Sequence, residues 1–283
     1  MLEDKQRLDV LVVKRGVLFS RERAKENIIS GNIFVDGIMT TKCGKKVDVS
    51  SSIEFIGEDI PYVSRGGLKL QKAINSFDID LKAKVCLDIG ASTGGFTDCM
   101  LQHGACKVYS IDVGTNQLDD KLRGDVRVVS MENTNIRYLN VDSIGELADF
   151  ASIDVSFISL EKVIPNLLNL LKNDGSVVAL LKPQFEVGVG IVNKKGVVKK
   201  PSEHVKVIVR VLNFLRCLDV KVINVNYSSI KGPNGNIEYL IYFTKSEENY
   251  VSHIEDNITH IVSEAHKDLN RVNEDKDNSW YML

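Results

Sequence analysis

Asp88-Ile-Gly-Ala-Ser-Thr-Gly-Gly-Phe96 joins an apolar run, Val85-Cys-Leu87, to a segment with helical spacing, and reads as a strand, a tight turn and a helix N-terminus. Glycines at 90, 94 and 95 let the backbone pass close to a ligand, and the amides of the first helical turn face it. That architecture accepts a nucleoside or an amino-acid carboxylate. The spacing is G-x-x-x-G-G, neither the G-x-G-x-x-G of nucleotide dehydrogenases nor the G-x-x-x-x-G-K-[ST] of a P-loop, so both of those folds lose ground.

Outward from this turn, apolar strands alternate with amphipathic helices. The pattern predicts strand 84 to 89, helix 95 to 103, strand 107 to 112, a helix near 116 to 122 and strand 126 to 130. It continues with strand 150 to 155, helix 159 to 172, strand 176 to 181, helix 202 to 218, and strands near 220 to 226 and 237 to 244. A helix at about 68 to 77 precedes the series. This is the order of a doubly wound α/β domain, and the last two strands, with no helix between them, predict an antiparallel final strand. Beyond Lys245, Val251, Ile254, Ile258, Ile261 and Val262 are spaced for one amphipathic helix with a charged, frayed end.

Residues near 5 to 58 read as a separate small unit. Leu8, Leu11 and Val12 have helical spacing, Ser20 caps a second helix that Gly31 follows, and Ile33-Phe-Val35, Asp36-Gly37 and Ile38-Met-Thr40 form a hairpin. Lys14, Arg15, Arg21, Arg23 and Lys25 cluster against a single acid, Glu22. Charge alone makes such a cluster either a solvated helix face or a binding patch. The segments predict residues 1 to 59 as a small domain, 60 to 67 as a glycine-bearing linker, 68 to 245 as the main domain and 246 to 283 as a terminal helix and polar tail.

Bulk properties bound the function. With 283 residues and 43% apolar composition the chain can bury a sizeable core. Its longest apolar runs fall far short of the roughly 18 to 20 residues needed to cross a bilayer, and the charged N-terminus lacks a secretory signal, so a cytoplasmic protein is expected. Cys43, Cys86, Cys99, Cys106 and Cys217 show no metal or disulfide spacing. A net charge of −2 means that any nucleic-acid contact must be local.

Asp112 falls at a strand end about 20 residues after the turn, where an acid accepts hydrogen bonds from both ribose hydroxyls of a nucleoside; a helix cap or turn role is the alternative. Glu132 and Asn133, past the third strand, are placed to meet an adenine edge or to sit in a solvated loop. Asp88 is suited to hold the turn itself. Asp154 and Lys182 end neighbouring strands and can pair on the ligand side of the sheet. The loop 188 to 196, with its glycines and lysines, reads either as a lid facing a polyanion or as a plain surface loop.

Two resemblances sharpen this reading. Arg7-Leu-Asp-Val-Leu-Val-Val-Lys-Arg-Gly16, Ser20-Arg-Glu-Arg-Ala-Lys25 and Gly31-Asn-Ile-Phe-Val-Asp-Gly37 resemble the S4 RNA-binding module. That resemblance makes Lys14, Arg15, Arg21, Arg23 and Lys25 candidate contacts to RNA phosphates, with Arg65 either a further contact or a brace for the linker. The segments Tyr62-Val-Ser-Arg-Gly-Gly-Leu-Lys69, Asp88 to Phe96, Asp154-Val-Ser-Phe-Ile-Ser159, Leu181-Lys-Pro-Gln-Phe-Glu186 and Gly232-Pro-Asn-Gly-Asn-Ile-Glu238 resemble TlyA-type proteins, in which an S4 module is fused to an FtsJ-like ribosomal RNA 2′-O-methyltransferase.

The resemblance implies a Rossmann-like domain dependent on S-adenosylmethionine, preceded by a small α+β S4 domain. It implies a K-D-K-E catalytic tetrad of Lys69, Asp154, Lys182 and Glu238, and a cofactor site of Asp88, Gly90, Ser92, Gly94, Gly95, Phe96, Asp112, Glu132 and Asn133. Ribosomal RNA or ribosomal subunits become the expected partner, with cytidine 2′-hydroxyls as target. Lys182 is the expected base or hydroxyl-orienting group, since burial and the cation Lys69 would ease its loss of a proton. Asp154 would hold it, and Glu238 would orient Lys69 or the ribose. A haemolysin would need a spanning helix or barrel hairpin, which the sequence does not display. Base methylation is disfavoured by Asp154-Val-Ser-Phe157 where an N-P-P-[YF] loop would stand. A non-catalytic assembly factor has no chemical need for the whole tetrad.

Overall fold

The structure is a computed structural model describing residues 5–18, 21–56, 60–188, 190–246 and 254–278. The chain divides into two compact units, Met1–Pro61 and Tyr62–Leu283.

The first unit runs β1 (Lys5–Arg7), α1 (Leu8–Lys14), α2 (Arg21–Ile29), β2 (Ile33–Val35), β3 (Ile38–Met39), β4 (Lys46–Asp48) and β5 (Ile53–Phe55). Asp36 and Gly37 turn β2 into β3 with φ of 51° and 74°, the positive values that a two-residue hairpin favours. β5 pairs with the other side of β2, while β1 and β4 form a separate ribbon. Leu8, Leu11 and Val12 of α1, Ala24 and Ile28 of α2, and Ile33, Val35 and Val47 close one core. The ribbon escapes sequence reading because Lys5-Gln-Arg7 and Lys46-Val-Asp48 show no apolar alternation. The expected cap Ser20 lies outside the described residues.

The second unit contains α3 (Gly66–Phe77), β6 (Val85–Ile89), α4 (Gly95–Gln102), β7 (Lys107–Ile111), α5 (Asp120–Arg123), β8 (Val128–Met131), α6 (Val141–Ile144) and β9 (Ala148–Ile153). It goes on through α7 (Ile164–Leu168), β10 (Leu171–Leu181), α8 (Pro183–Glu186), α9 (Pro201–Arg216), β11 (Lys221–Tyr227), β12 (Tyr239–Thr244) and α10 (Ile254–Asn278). The strands form a seven-stranded sheet in the order β11-β12-β10-β9-β6-β7-β8. β6 to β10 run parallel, and β12 lies antiparallel between β10 and β11. Strand order reverses between β6 and β9, which opens a crevice at their carboxyl ends where ligands of such sheets bind. Val177 to Leu181 are buried without alternation, as a central strand covered on both faces requires.

Three predicted boundaries shift. Residues 62–67 are not a linker: Tyr62 is buried, the Val63 amide donates to Asp98 at 2.8 Å, and α3 starts at Gly66. The expected helix from 159 to 172 is a 3₁₀ turn at Leu160–Lys162, then α7, because Pro165 has no N–H for a continuous helix; Leu171 already pairs with Ala148 in the sheet. The helix near 116 to 122 contracts to α5, capped by the Asp119 carboxylate on the Lys121 amide. The expected terminal amphipathic helix is present as α10: its Ile258, Val262, Ala265 and Leu269 join the main core, and it runs on through the charged segment to Asn278. The predicted apolar position Val251 lies outside the described residues. Among the described residues no helix is long and apolar enough to cross a membrane.

Candidate active site

The turn after β6 is held from beneath. Asp88 is fully buried, accepting from the Thr97 hydroxyl at 2.7 Å and from Ser152 at 3.2 Å, and burial pushes its carboxyl up to about 7. Gly90 has φ of 85°, and a Cβ there would stand 2.5 Å from the Asp154 carbonyl. A Cβ on Gly94 would meet Leu122 at 2.3 Å, and one on Gly95 would meet the Ser64 hydroxyl at 2.3 Å and the Gly67 amide nitrogen at 2.9 Å. All three glycines bring pieces of the protein's own chain together, and Gly90 also lines the cavity in front of the turn. Phe96 is buried beside Gly66, where α3 and α4 meet.

Asp112 closes the turn from the next strand. One carboxylate oxygen accepts the Ser92 amide at 2.8 Å and the other the Gly114 amide at 2.7 Å, so each retains a lone pair. In front of them opens a cavity of about 400 Å³ lined by Gly90, Ser92, Asp112, Asn135, Asp154 and Phe157 among others. Asp88, Gly94, Gly95 and Phe96 support it from behind. Glu132 and Asn133 do not line it. The Glu132 carboxylate accepts amides of Asn116 and Gln117 and an Arg123 contact at 2.9 Å, and the Arg123 guanidinium holds it down at about 2. Asn133 is exposed at φ 52° and donates its amide to Gly114 at 2.9 Å. Asn133 thus sits in the exposed loop, the second of the two readings, and Asn135, two residues on, lines the cavity.

The four residues Lys69, Asp154, Lys182 and Glu238 form one ion-paired cluster, which meets this cavity through Asp154 in its lining. Lys69 lies in the first turn of α3, Asp154 just past β9, Lys182 just past β10, and Glu238 just before β12, whose reversed direction puts its start at the same sheet edge. Lys69 Nζ stands 2.7 Å from Glu238 and 3.9 Å from Asp154, and Lys182 Nζ stands 2.6 Å from Asp154 and 3.0 Å from the Ser156 hydroxyl. Lys69, Lys182 and Glu238 are 6%, 7% and 0% exposed, so their charges must be compensated within the cluster. Burial opposes the Lys69 charge, but Asp154 and Glu238 outweigh it and raise its pKa. A Cβ on Gly232 would stand 2.0 Å from the second Glu238 oxygen, so the glycine gives that carboxylate its room.

Two neighbours of the cluster escape sequence reading. Ser156 presents its hydroxyl to Lys182. Phe157 is 90% exposed, holds φ of 61° and stacks at a tilt on Phe185 with centroids 4.9 Å apart. Neither the positive φ nor the exposure of this ring in the cavity lining shows in a sequence.

The basic cluster of the first unit resolves into unlike parts. Arg15 donates to the carbonyls of Val49 and Ser51, Arg21 pairs with the buried Asp9 at 3.0 Å, and Arg23 donates to the Ile60 carbonyl at 2.6 Å. Arg7 and Arg21 hold the Asp9 carboxyl down at about 2. Lys14 is exposed and Lys25 half-buried. In the second unit Arg65 is exposed just before α3, where its charge acts on Lys69.

Comparison with known proteins agrees with this geometry. Residues 62–245 match the family described as FtsJ-like methyltransferase. The chain is 44% identical over 272 residues to YqxC of Bacillus subtilis, a candidate rRNA methyltransferase, spanning 95% of this chain and 97% of that one. It is 37% identical over 262 residues to the 16S/23S rRNA (cytidine-2′-O)-methyltransferase TlyA of Mycobacterium tuberculosis, spanning 92% and 98%. A solved structure from Streptococcus thermophilus, described as a candidate hemolysin, superposes with a TM-score of 0.78 at 44% identity, covering 96% of this chain and 99% of that one. On the extent of that match, the chain belongs to the FtsJ-like methyltransferase family.

Proposed function

We propose that this protein transfers a methyl group from S-adenosylmethionine to the 2′-hydroxyl of a cytidine ribose in ribosomal RNA. The observation that carries the reading is the convergence of Lys69, Asp154, Lys182 and Glu238 into one cluster whose Asp154 lines the cavity in front of Asp112. The names of the relatives support ribosomal RNA as substrate, and the 16S/23S name of the mycobacterial relative supports both subunits as candidates.

The cavity suits the cofactor. Its size falls within the roughly 300 to 1,000 Å³ usual for small-molecule sites, Ile89, Ile111 and Ile136 give it apolar walls for a base, and Asp112 keeps acceptor capacity for ribose hydroxyls. When bound, S-adenosylmethionine supplies an electrophilic methyl group. The protein must then align a weak nucleophile and relieve it of one proton. Lys182 is ion-paired with Asp154 and donates to the Ser156 hydroxyl; as the neutral amine it offers a lone pair that takes the proton of a substrate hydroxyl, becoming the ammonium that Asp154 then compensates. Asp154 fixes Lys182 against rotation, and the Lys69–Glu238 pair fixes Asp154 from the other side. Phe157 offers an exposed face on which a base turned out of its stack can rest.

The first unit serves, on this reading, as an S4-like RNA-binding module. Lys14 and Lys25 are its phosphate contacts, while Arg15, Arg21 and Arg23 act chiefly in shaping it. The setting is the cytoplasm, where ribosomal subunits are found.

Transfer of labelled methyl from S-adenosylmethionine to unmodified small and large ribosomal subunits tests the proposal, with Lys182→Ala in parallel. The expected outcome is label in alkali-resistant dinucleotides with wild type and a loss of about 10²- to 10⁴-fold with the variant. Subunit binding by both proteins with no transfer by either would overturn it in favour of an assembly factor.

A further inference from the structure

A second cleft, of about 720 Å³, opens between the loops 193–199 and 231–237 and helix α10. Lys194, Lys195, Lys199 and Lys231 line it, together with His266 and Asn270, and no carboxylate among the described residues does. Elsewhere in this unit lysines are commonly neutralised, as in the pairs Lys107–Glu146, Lys172–Asp149 and Lys206–Glu203. The cleft lysines have no ion-pair partner among the described residues. Lys231 donates to the neutral Asn270 side chain at 2.8 Å, and its partial burial lowers its pKa. Four like charges thus share one concavity that no carboxylate among the described residues lines, an arrangement that favours an anion.

The cleft is also built. The Asn193 side chain accepts the amides of Lys195 and Val197, while Asn236 accepts the Val198 amide at 3.2 Å and donates to the Gly196 carbonyl at 3.1 Å. Both loops are therefore clamped together, and the second leads directly into Glu238. His266 packs on His204 with centroids 4.8 Å apart, and burial keeps it at about 4, so this part of the lining is neutral around pH 7. Among the described residues no phenylalanine, tyrosine or tryptophan lines the cleft, so its described lining suits a backbone phosphate better than a stacked base. Lysines act as hydrated point charges that position a phosphate without reading sequence.

We propose that this cleft holds the phosphodiester backbone of the RNA strand that adjoins the target ribose, and so delivers that ribose to the tetrad. The assignment rests on the proposed RNA substrate. It extends the lysine-bearing loop 188 to 196 into a defined site with Lys199, Lys231 and the His266 and Asn270 side chains of α10, residues that the sequence did not single out.

The test compares wild type with Lys194→Gln/Lys195→Gln/Lys199→Gln and with the matching triple arginine variant. One arm measures binding of unmodified ribosomal RNA as a function of salt; the other measures methyl transfer. The glutamine variant is expected to lower the slope of log affinity against log salt by about 2 to 3, with the loss in transfer falling on KM more than on kcat, and the arginine variant to restore both. Unchanged slope and KM in the glutamine variant would overturn the assignment, as would failure of arginine to restore what glutamine removes. The binding arm needs no catalysis. A wild type that binds RNA with the expected salt slope but transfers no methyl would count against the proposed reaction and leave the cleft standing.

Discussion

Asp88 shows how one buried side chain sets a pH dependence. Its folded carboxyl is raised from an ordinary 3.8 to about 7, chiefly by burial. Between those values the folded state holds a proton that the unfolded chain has released, so this group's contribution to stability declines as pH rises from about 4 to about 7. His266, held at about 4, works in the opposite sense below the ordinary histidine range, so the sign of the total slope is not set by Asp88 alone. The difference between wild type and Asp88→Asn isolates it. Melting of the ligand-free proteins from pH 4.5 to 8 is expected to show wild type losing a few kcal/mol relative to the variant, about 1.4 kcal/mol for each pH unit that separates the folded from the unfolded carboxyl; parallel curves would refute the assignment. The identity of Asp88 was legible in the sequence as a residue that holds the turn. Its two hydroxyl partners were not, because Thr97 and Ser152 reach it only through the packing of α4 and β9.

At the scale of elements, the approach of α3 to α4 is set by residues without side chains. Gly95→Ala would place a methyl 2.3 Å from the Ser64 hydroxyl and 2.9 Å from backbone at Gly67, so α3 has to move, and Lys69 rides on α3. Overpacking of this kind costs about 1 to 3 kcal/mol, measurable by urea unfolding, and the displaced Lys69 is expected to lower kcat as well. Full activity at reduced stability would mean that α3 yields without carrying the lysine along. The long strands were legible because continuous apolar runs such as Val177 to Leu181 have few alternatives to a buried strand. The stretch from Glu132 to Leu147 was not: its buried Ile136, Leu139 and Ile144 are held by a 3₁₀ turn and the four-residue α6, which leave no periodic trace. The site repeats the contrast. The Lys182–Asp154 pair could be argued from adjacent strand ends, whereas Lys69 and Glu238, 169 positions apart, were tied together only by likeness to known proteins.

Over the whole molecule, the two units own separate cores of unequal size, and stability is expected to follow. The first relies on a few residues between Leu8 and Val47; the second draws on residues from Leu87 to Leu269. Small cores bury a smaller share of their chain and open more readily. Native-state hydrogen exchange is expected to show the amides of α1, α2 and β2 exchanging through a lower-energy opening than those of β6, β9 and β10. A single common opening energy would mean that the units unfold together. The division between the units was legible to within a few residues, whereas residues 62–67 misled because glycine pairs signal flexibility and close helix packing alike.

The placement of β12 has a further consequence, for the timing of activity. On a growing chain, Lys69, Asp154 and Lys182 are all synthesised before Glu238, and the strand that carries Glu238 into place must slot between two strands made earlier. Until it does, Lys69 lacks its nearest carboxylate and the sheet lacks a middle member. The turn that faces the cavity is complete more than a hundred residues before the cluster of Lys69, Asp154, Lys182 and Glu238 is. On the proposed function, competence thus waits for β12, and a chain that has not closed its sheet has no assembled cluster with which to modify ribosomal RNA.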